Sequence, residues 1–166
     1  MLLRKKEEIE YWLNKYQIKD YDLIKDEKYG YVVNVNGHVN LINKNLTVIE
    51  VKFNQIKGSF NCSSNELETL KGCPEVVNIH FNCNNNKLKD LKNSPKIVNG
   101  NFFCYYNYLN SLEGCPKIIK GSLIVNNNEL EIEGLKYLPK EINTNYIDIF
   151  NNEKLEDIQK ISNFSE

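Results

Sequence analysis

The residues in this chain best equipped for chemistry are five cysteines and two histidines. Cys62, Cys83 and Cys104 stand 21 residues apart, with Cys73 and Cys115 between or beyond them. A zinc site pairs thiolates a few residues apart, and these steps match no such motif. The next position in the series is Val125. Valine can replace a small buried hydrophobe but not a metal ligand, so these thiols read as core residues. Cys73 and Cys115 lie in Gly-Cys-Pro segments, with Ser94 at the equivalent place between them. An odd number of cysteines without a signal peptide also argues against a disulfide framework. His38 and His80 have no nucleophile and acid at a suggestive spacing. No glycine-rich phosphate loop occurs. The expectation is therefore no catalytic residue, no metal and no cofactor.

The cysteine spacing is one register of a repeat. Leu67, Leu88, Leu109 and Leu130 keep the same 21-residue step, as do Asn65, Asn86, Asn107 and Asn128. In Phe81-Asn82-Cys83 the apolar residues alternate, which buries one face of a short strand. Phe60/Cys62, Phe102/Cys104 and Leu123/Val125 repeat the pattern. Leu88 and Leu91 then turn back inward and Val98 closes the coil. Stacked coils bury one continuous apolar column, with the strands paired in parallel about 4.8 Å apart. An asparagine after each strand can donate and accept at once, so a ladder of them can satisfy backbone groups left inside the turn. Pro74, Pro95 and Pro116 keep the step on the returning side, and Pro139 comes two residues late. That side reads as extended or turn-like, because proline donates no hydrogen bond.

A different unit precedes the repeats. Ile9, Trp12, Leu13 and Tyr16 recur at helical spacing, which predicts an amphipathic helix over 4–16. Asn36-Gly37 between apolar runs predicts a hairpin over 29–42, with Tyr21 to Ile24 as a further strand. The reading is a cap over 1–45, a solenoid over 46–158 and a loose tail over 159–166. Leu46 to Ile49 and Phe53 to Ile56 fit the second half of a degenerate coil, and Ile147 to Phe150 reads as a last strand followed by Leu155 and Ile158. The fold class is an α+β solenoid.

Bulk properties exclude several classes. Net charge is −1 and the basic residues are scattered, so no strong field for direct nucleic-acid binding is built. No apolar run reaches the ~18 residues of a membrane span. The first residues lack the apolar core of a secretory signal, which makes cytoplasmic the expected location.

What remains is surface. Asn82 and Asn84 face outward from one strand, Phe103 and Tyr105 from the next, and Ile124 from the one after. Tyr106 and Tyr108 stand beside them in the turn. An aromatic cluster on a face of Asn and Ser is either a protein-contact site or a cover over a neighbouring coil.

The Phe-x-Cys-x-x-Asn-x-Leu pattern, as in Phe81 to Leu88, resembles leucine-rich repeats. Its F-x-C-x-x-N-x-L-x-x-L-x-G-C-P form is similar to a short-repeat type common in bacteriophage and mobile-element proteins. The resemblance implies a leucine-rich coil with a short parallel sheet and places Phe103 and Tyr105 where such repeats contact partners. It carries no catalytic residues. It implies a protein partner, such as a host defence complex with nuclease activity that the chain would inhibit; the alternative is a self-associating homodimer.

Overall fold

The computed structural model describes residues 1–139, 141–142, 146–152 and 154–155. Helix α1 (Lys6–Lys15) buries Ile9, Trp12 and Leu13 on one face. Glu7 and Glu8 in its first turn and Lys15 in its last oppose the helix dipole favourably. Strands β1 (Tyr21–Asp26) and β2 (Gly30–Val35) then pair antiparallel, with Tyr21 opposite Val35.

This hairpin is not the one expected around Asn36-Gly37. The carboxylate of Asp26 accepts the backbone N–H groups of Lys28 and Tyr29 at 2.9 and 2.8 Å, which folds the turn at 26–30. Gly30 supplies the left-handed residue at φ +78°. Asn36-Gly37 instead forms a corner, where the chain swings from one sheet to another. Strand β3 (Val39–Asn40) pairs not with β2 but in parallel with β5 (Phe60–Asn61). Likewise β2 pairs in parallel with β4 (Phe53–Ile56). Parallel pairing with the following coils therefore begins at Val33.

Each later coil repeats two short strands. These are β6 (Val76–Val77) and β7 (Phe81–Asn82), β8 (Ile97–Val98) and β9 (Phe102–Phe103), then β10 (Ile118–Ile119) and β11 (Leu123–Ile124). The last pair is β12 (Glu141–Ile142) and β13 (Ile147–Asp148). Among the described residues they form a seven-stranded sheet, β1-β2-β4-β6-β8-β10-β12, and a six-stranded sheet, β13-β11-β9-β7-β5-β3. The expected coil had one strand. The actual coil has two, because the segment after each proline (Val76, Ile97, Ile118) also pairs with its neighbours. The third side carries no strand and points Leu67 and Leu70, Leu88 and Leu91, and Leu109 and Leu112 into the core. A 3-10 helix, Ile132–Tyr137, replaces it in the last coil. The architecture is a β-solenoid with a period of about 21 residues.

The core is a column. The Phe60 and Phe81 rings stack at 5.7 Å and Phe81 and Phe102 at 5.4 Å. Phe53 turns edge-on to Phe60, and Trp12 of the helix closes the end against Phe53 at 6.2 Å. Cys62, Cys83, Cys104 and Val125 fill one buried row, and the cysteines are free thiols.

Two polar ladders tie the coils together. The Asn107 Oδ1 accepts the Leu88 N–H at 3.1 Å, while its amide donates to the Cys83 and Cys104 carbonyls. Asn86 does the same one coil earlier, and Asn128 one coil later. At the corner between the sheets, His38 Nδ1 accepts the Ser59 N–H and His80 Nδ1 accepts the Asn101 N–H. Asn101 Oδ1 in turn accepts the Ser122 N–H. Each histidine side chain thus ties its own coil to the backbone of the next. Ile158 and the tail at 159–166 lie outside the described residues.

Candidate functional site

The six-stranded sheet turns one face outward, and its character changes along the stack. In parallel register, Asn40, Asn61, Asn82, Phe103, Ile124 and Asp148 succeed one another across neighbouring strands. The early coils present amides there, and coils three and four present apolar side chains. Phe103 and Ile124 are half-buried neighbours. The Phe103 ring also lies 6.2 Å from the His80 ring of the preceding coil, so it covers part of that coil.

Two residues on, Tyr105 is half-buried, and its ring meets Tyr106 edge-on at 5.7 Å. Tyr106 and Tyr108 are more than half exposed, at 54% and 52%. Asn82 is half-buried beside Phe103. Asn84 was expected outward but is buried at 5%. Ser63, at the same register one coil earlier, is buried too, whereas the larger Tyr105 one coil later is half-buried. Asn84 therefore has no surface to offer.

Tyr106 shares the backbone conformation of its counterparts and differs from them in residue type. It has φ +53°, in the left-handed region. The same corner in other coils is held by Asn43, Ser64, Asn85, Asn127 and Asn151, with φ between 51° and 55°. Asparagine tolerates that region because its short side chain bonds locally, whereas a bulky residue there is disfavoured by roughly 1 kcal/mol or more. The third coil keeps an exposed tyrosine at a place where the fold elsewhere uses a small polar residue.

Compared with known proteins, the chain matches no family model, no curated protein and no solved structure. The site must be read from its own geometry.

That geometry adds a residue the sequence did not point to. The Asn127 N–H donates to the Phe150 carbonyl, which sets Phe150 beside Asn126 on the outward face. Phe150 is 67% exposed. The 21-residue step hides it, because the last coil is longer and the equivalent of Asn126 falls 24 residues on. Phe103, Tyr105, Tyr106, Ile124 and Phe150 thus form an aromatic and apolar patch across three coils, with Tyr108 at its margin. Asp148 is the carboxylate within it, hydrogen-bonded by the Asn126 amide at 2.9 Å.

Cys62, Cys73, Cys83 and Cys104 are buried behind the sheets and Cys115 is half-buried. Burial pushes the Cys73, Cys83 and Cys115 thiols well above the ordinary range, which disfavours the nucleophilic thiolate. Among the described residues, no group of three His, Cys, Asp or Glu is placed to hold a metal ion. No described helix is long and apolar enough to cross a membrane.

Proposed function

We propose that this protein is a binding module that captures a protein partner on the aromatic end of its six-stranded sheet and performs no reaction of its own. The solenoid is of a kind often used for protein–protein contact. The observation that carries the reading is Tyr106. A large side chain kept exposed in a disfavoured backbone conformation, beside Tyr105 and Phe103, has a use beyond folding. Tyrosine and phenylalanine bring large rigid area at low entropic cost, which is how protein interfaces build their anchors. The patch carries few charges, which fits a protein surface better than a nucleic-acid backbone.

The resemblance to short leucine-rich repeats of bacteriophage and mobile elements sharpens the proposal. In that reading the chain acts in a host cytoplasm as an inhibitor that occupies a defence protein, such as a nuclease complex. A second reading is favoured by Ile147 and Phe150, exposed at 39% and 67% on the last described coil. Two copies joined there would make a homodimer.

The test uses the protein's own alternatives. Phe103→Asn, Tyr105→Asn and Tyr106→Asn together give coil three the residues of coil two, Asn82, Asn84 and Asn85, so the variant suits the fold. Affinity capture from host extract should yield a stoichiometric complex with the wild type and none with the variant. Equal recovery with both would overturn the site. A native mass of two chains that falls to one in the variant would assign the patch to self-association.

A further inference from the structure

A cleft lies between the N-terminal segment and the first coils, and none of its lining residues belongs to the aromatic patch. Arg4, Lys28, Tyr29, Lys52, Lys71 and Glu75 line a cleft of about 390 Å³. That volume suits a small ligand. Four of these groups are cations and one is a carboxylate.

Lys52 is the odd residue. It occupies the register filled by Cys73, Ser94 and Cys115 in later coils, yet it is buried at 6%. Its ammonium donates to the Cys73 carbonyl at 2.6 Å and pairs with Glu75 Oε1 at 2.8 Å. Glu75 Oε2 pairs with Lys96 Nζ at 2.8 Å. Both carboxylate oxygens are therefore engaged. Among the described residues no carboxylate forms an ion pair with Arg4, Lys28 or Lys71. The Lys28 Nζ instead lies 4.9 Å from the centre of the Tyr29 ring.

Burying an ion pair gains little stability over the small neutral residues that serve the other coils. A chain of net charge −1 nonetheless gathers in one recess three cations, Arg4, Lys28 and Lys71, that pair with no carboxylate among the described residues. Concave, low-dielectric walls strengthen the attraction of such a recess for an anion. Lysines act as compact point charges toward phosphate oxygens.

We propose that this cleft binds a small polyanion of the phosphate class, held by Lys28, Lys71 and Arg4 at the rim and Lys52 at the base. The ligand is either a bare phosphate chain or a phosphate ester with an organic body.

Calorimetric titration of the whole protein at low ionic strength tests it, with inorganic pyrophosphate and metal-free ATP as probes. Pyrophosphate should bind saturably. Lys28→Gln with Lys71→Gln, both exposed positions, should weaken it by about tenfold or more. Lys44→Gln with Lys120→Gln removes the same charge elsewhere and should change it by less than about twofold. ATP binding tighter than pyrophosphate assigns the ligand as an ester, and equal binding assigns a bare chain. No saturable binding, or equal loss in both double variants, overturns the proposal. The Phe103/Tyr105/Tyr106 asparagine variant should bind pyrophosphate as the wild type does, which separates this site from the aromatic one.

Discussion

Replacing Asn107 by alanine tests the ladder that makes the coils stack. The side chain accepts from Leu88 N–H at 3.1 Å and donates to the carbonyls of Cys83, Cys104 and Tyr105 at 3.2, 3.3 and 3.4 Å. These four contacts are not equal. The Cys83 carbonyl still receives the Asn86 amide, the Cys104 carbonyl the Asn128 amide, and the Tyr105 carbonyl the Asn85 N–H. Only the Leu88 N–H loses its partner outright. An orphaned buried donor costs about 1–3 kcal/mol, and the shared acceptors lose a fraction of that each. The expected loss is about 2–4 kcal/mol, a large part of a typical domain's stability. Urea unfolding should show a lower midpoint with an unchanged slope. Asn107→Asp separates donor from acceptor. Its carboxylate keeps the Leu88 contact but sets negative oxygen against the Cys83, Cys104 and Tyr105 carbonyls, so its folded pKa rises above the unfolded value. The penalty is then absent below the unfolded pKa and grows as pH rises toward the folded one. Asn107→Asp should be less stable than Asn107→Ala at neutral pH and recover on acidification. A loss under about 1 kcal/mol for alanine, or a pH-independent aspartate variant, would refute the ladder as a stabilising device.

Three further outcomes follow from the same coordinates. Gly72 has φ +99°, and a Cβ there would collide with the Ile49 carbonyl and lie 2.7 Å from that of Val51; Gly72→Ala should cost about 2 kcal/mol or more, whereas Asn93→Gly at the equivalent left-handed corner should stay within about 1 kcal/mol, both read from thermal unfolding. Burial raises the Glu75 carboxyl, but Lys52 and Lys96 outweigh it and hold the group below its ordinary value; the stability it adds is complete above the unfolded carboxylate pKa of about 4.3 and disappears as pH falls through the lower folded one, a slope that Glu75→Gln should remove. Cys83→Val copies Val125, two coils on in the same row, and should change stability by less than about 1.5 kcal/mol, while alkylation followed by mass spectrometry should leave native Cys83 unmodified until unfolding.

The repeat was legible in the sequence because burial leaves a strict mark. Phe81, Cys83, Asn86 and Leu88 sit at registers that stay apolar or asparagine through Leu123, Val125, Asn128 and Leu130, while the Leu91 register holds until Glu133 enters the 3-10 helix. The second sheet was harder to see. Its strands, such as Val76–Val77 and Ile97–Val98, have two residues each and follow a proline, which reads as a turn until neighbouring coils supply the partners. The place of the hairpin is hidden for a related reason. Asn36-Gly37 carries the stronger local turn signal, but parallel pairing of β3 with β5 and the Asp26 turn decide the path. The site was partly legible. Phe103, Tyr105 and Tyr106 stood out against asparagine, but Phe150 was hidden by the longer last coil. Lys52 looked like any surface lysine until the fold buried it.

The division of labour within each coil bears on how such a protein acquires a partner. Residues that hold the stack point inward or pair along it, through the phenylalanine column, the asparagine ladder and the His38-to-Ser122 corner. Outward residues take almost no part in those contacts. A change from Asn82 to Phe103, one coil to the next, therefore alters the surface and leaves the scaffold intact. Tyr106 marks the limit of this independence. Its backbone conformation is set by the coil and suits asparagine, so the aromatic side chain is kept against a local preference of the fold. Among the outward residues, one that opposes its own backbone makes the stronger case for a role in recognition. Phe103 fits its strand without strain and also covers His80. The binding assignment therefore rests on Tyr106 first, and on its aromatic neighbours because they share its face.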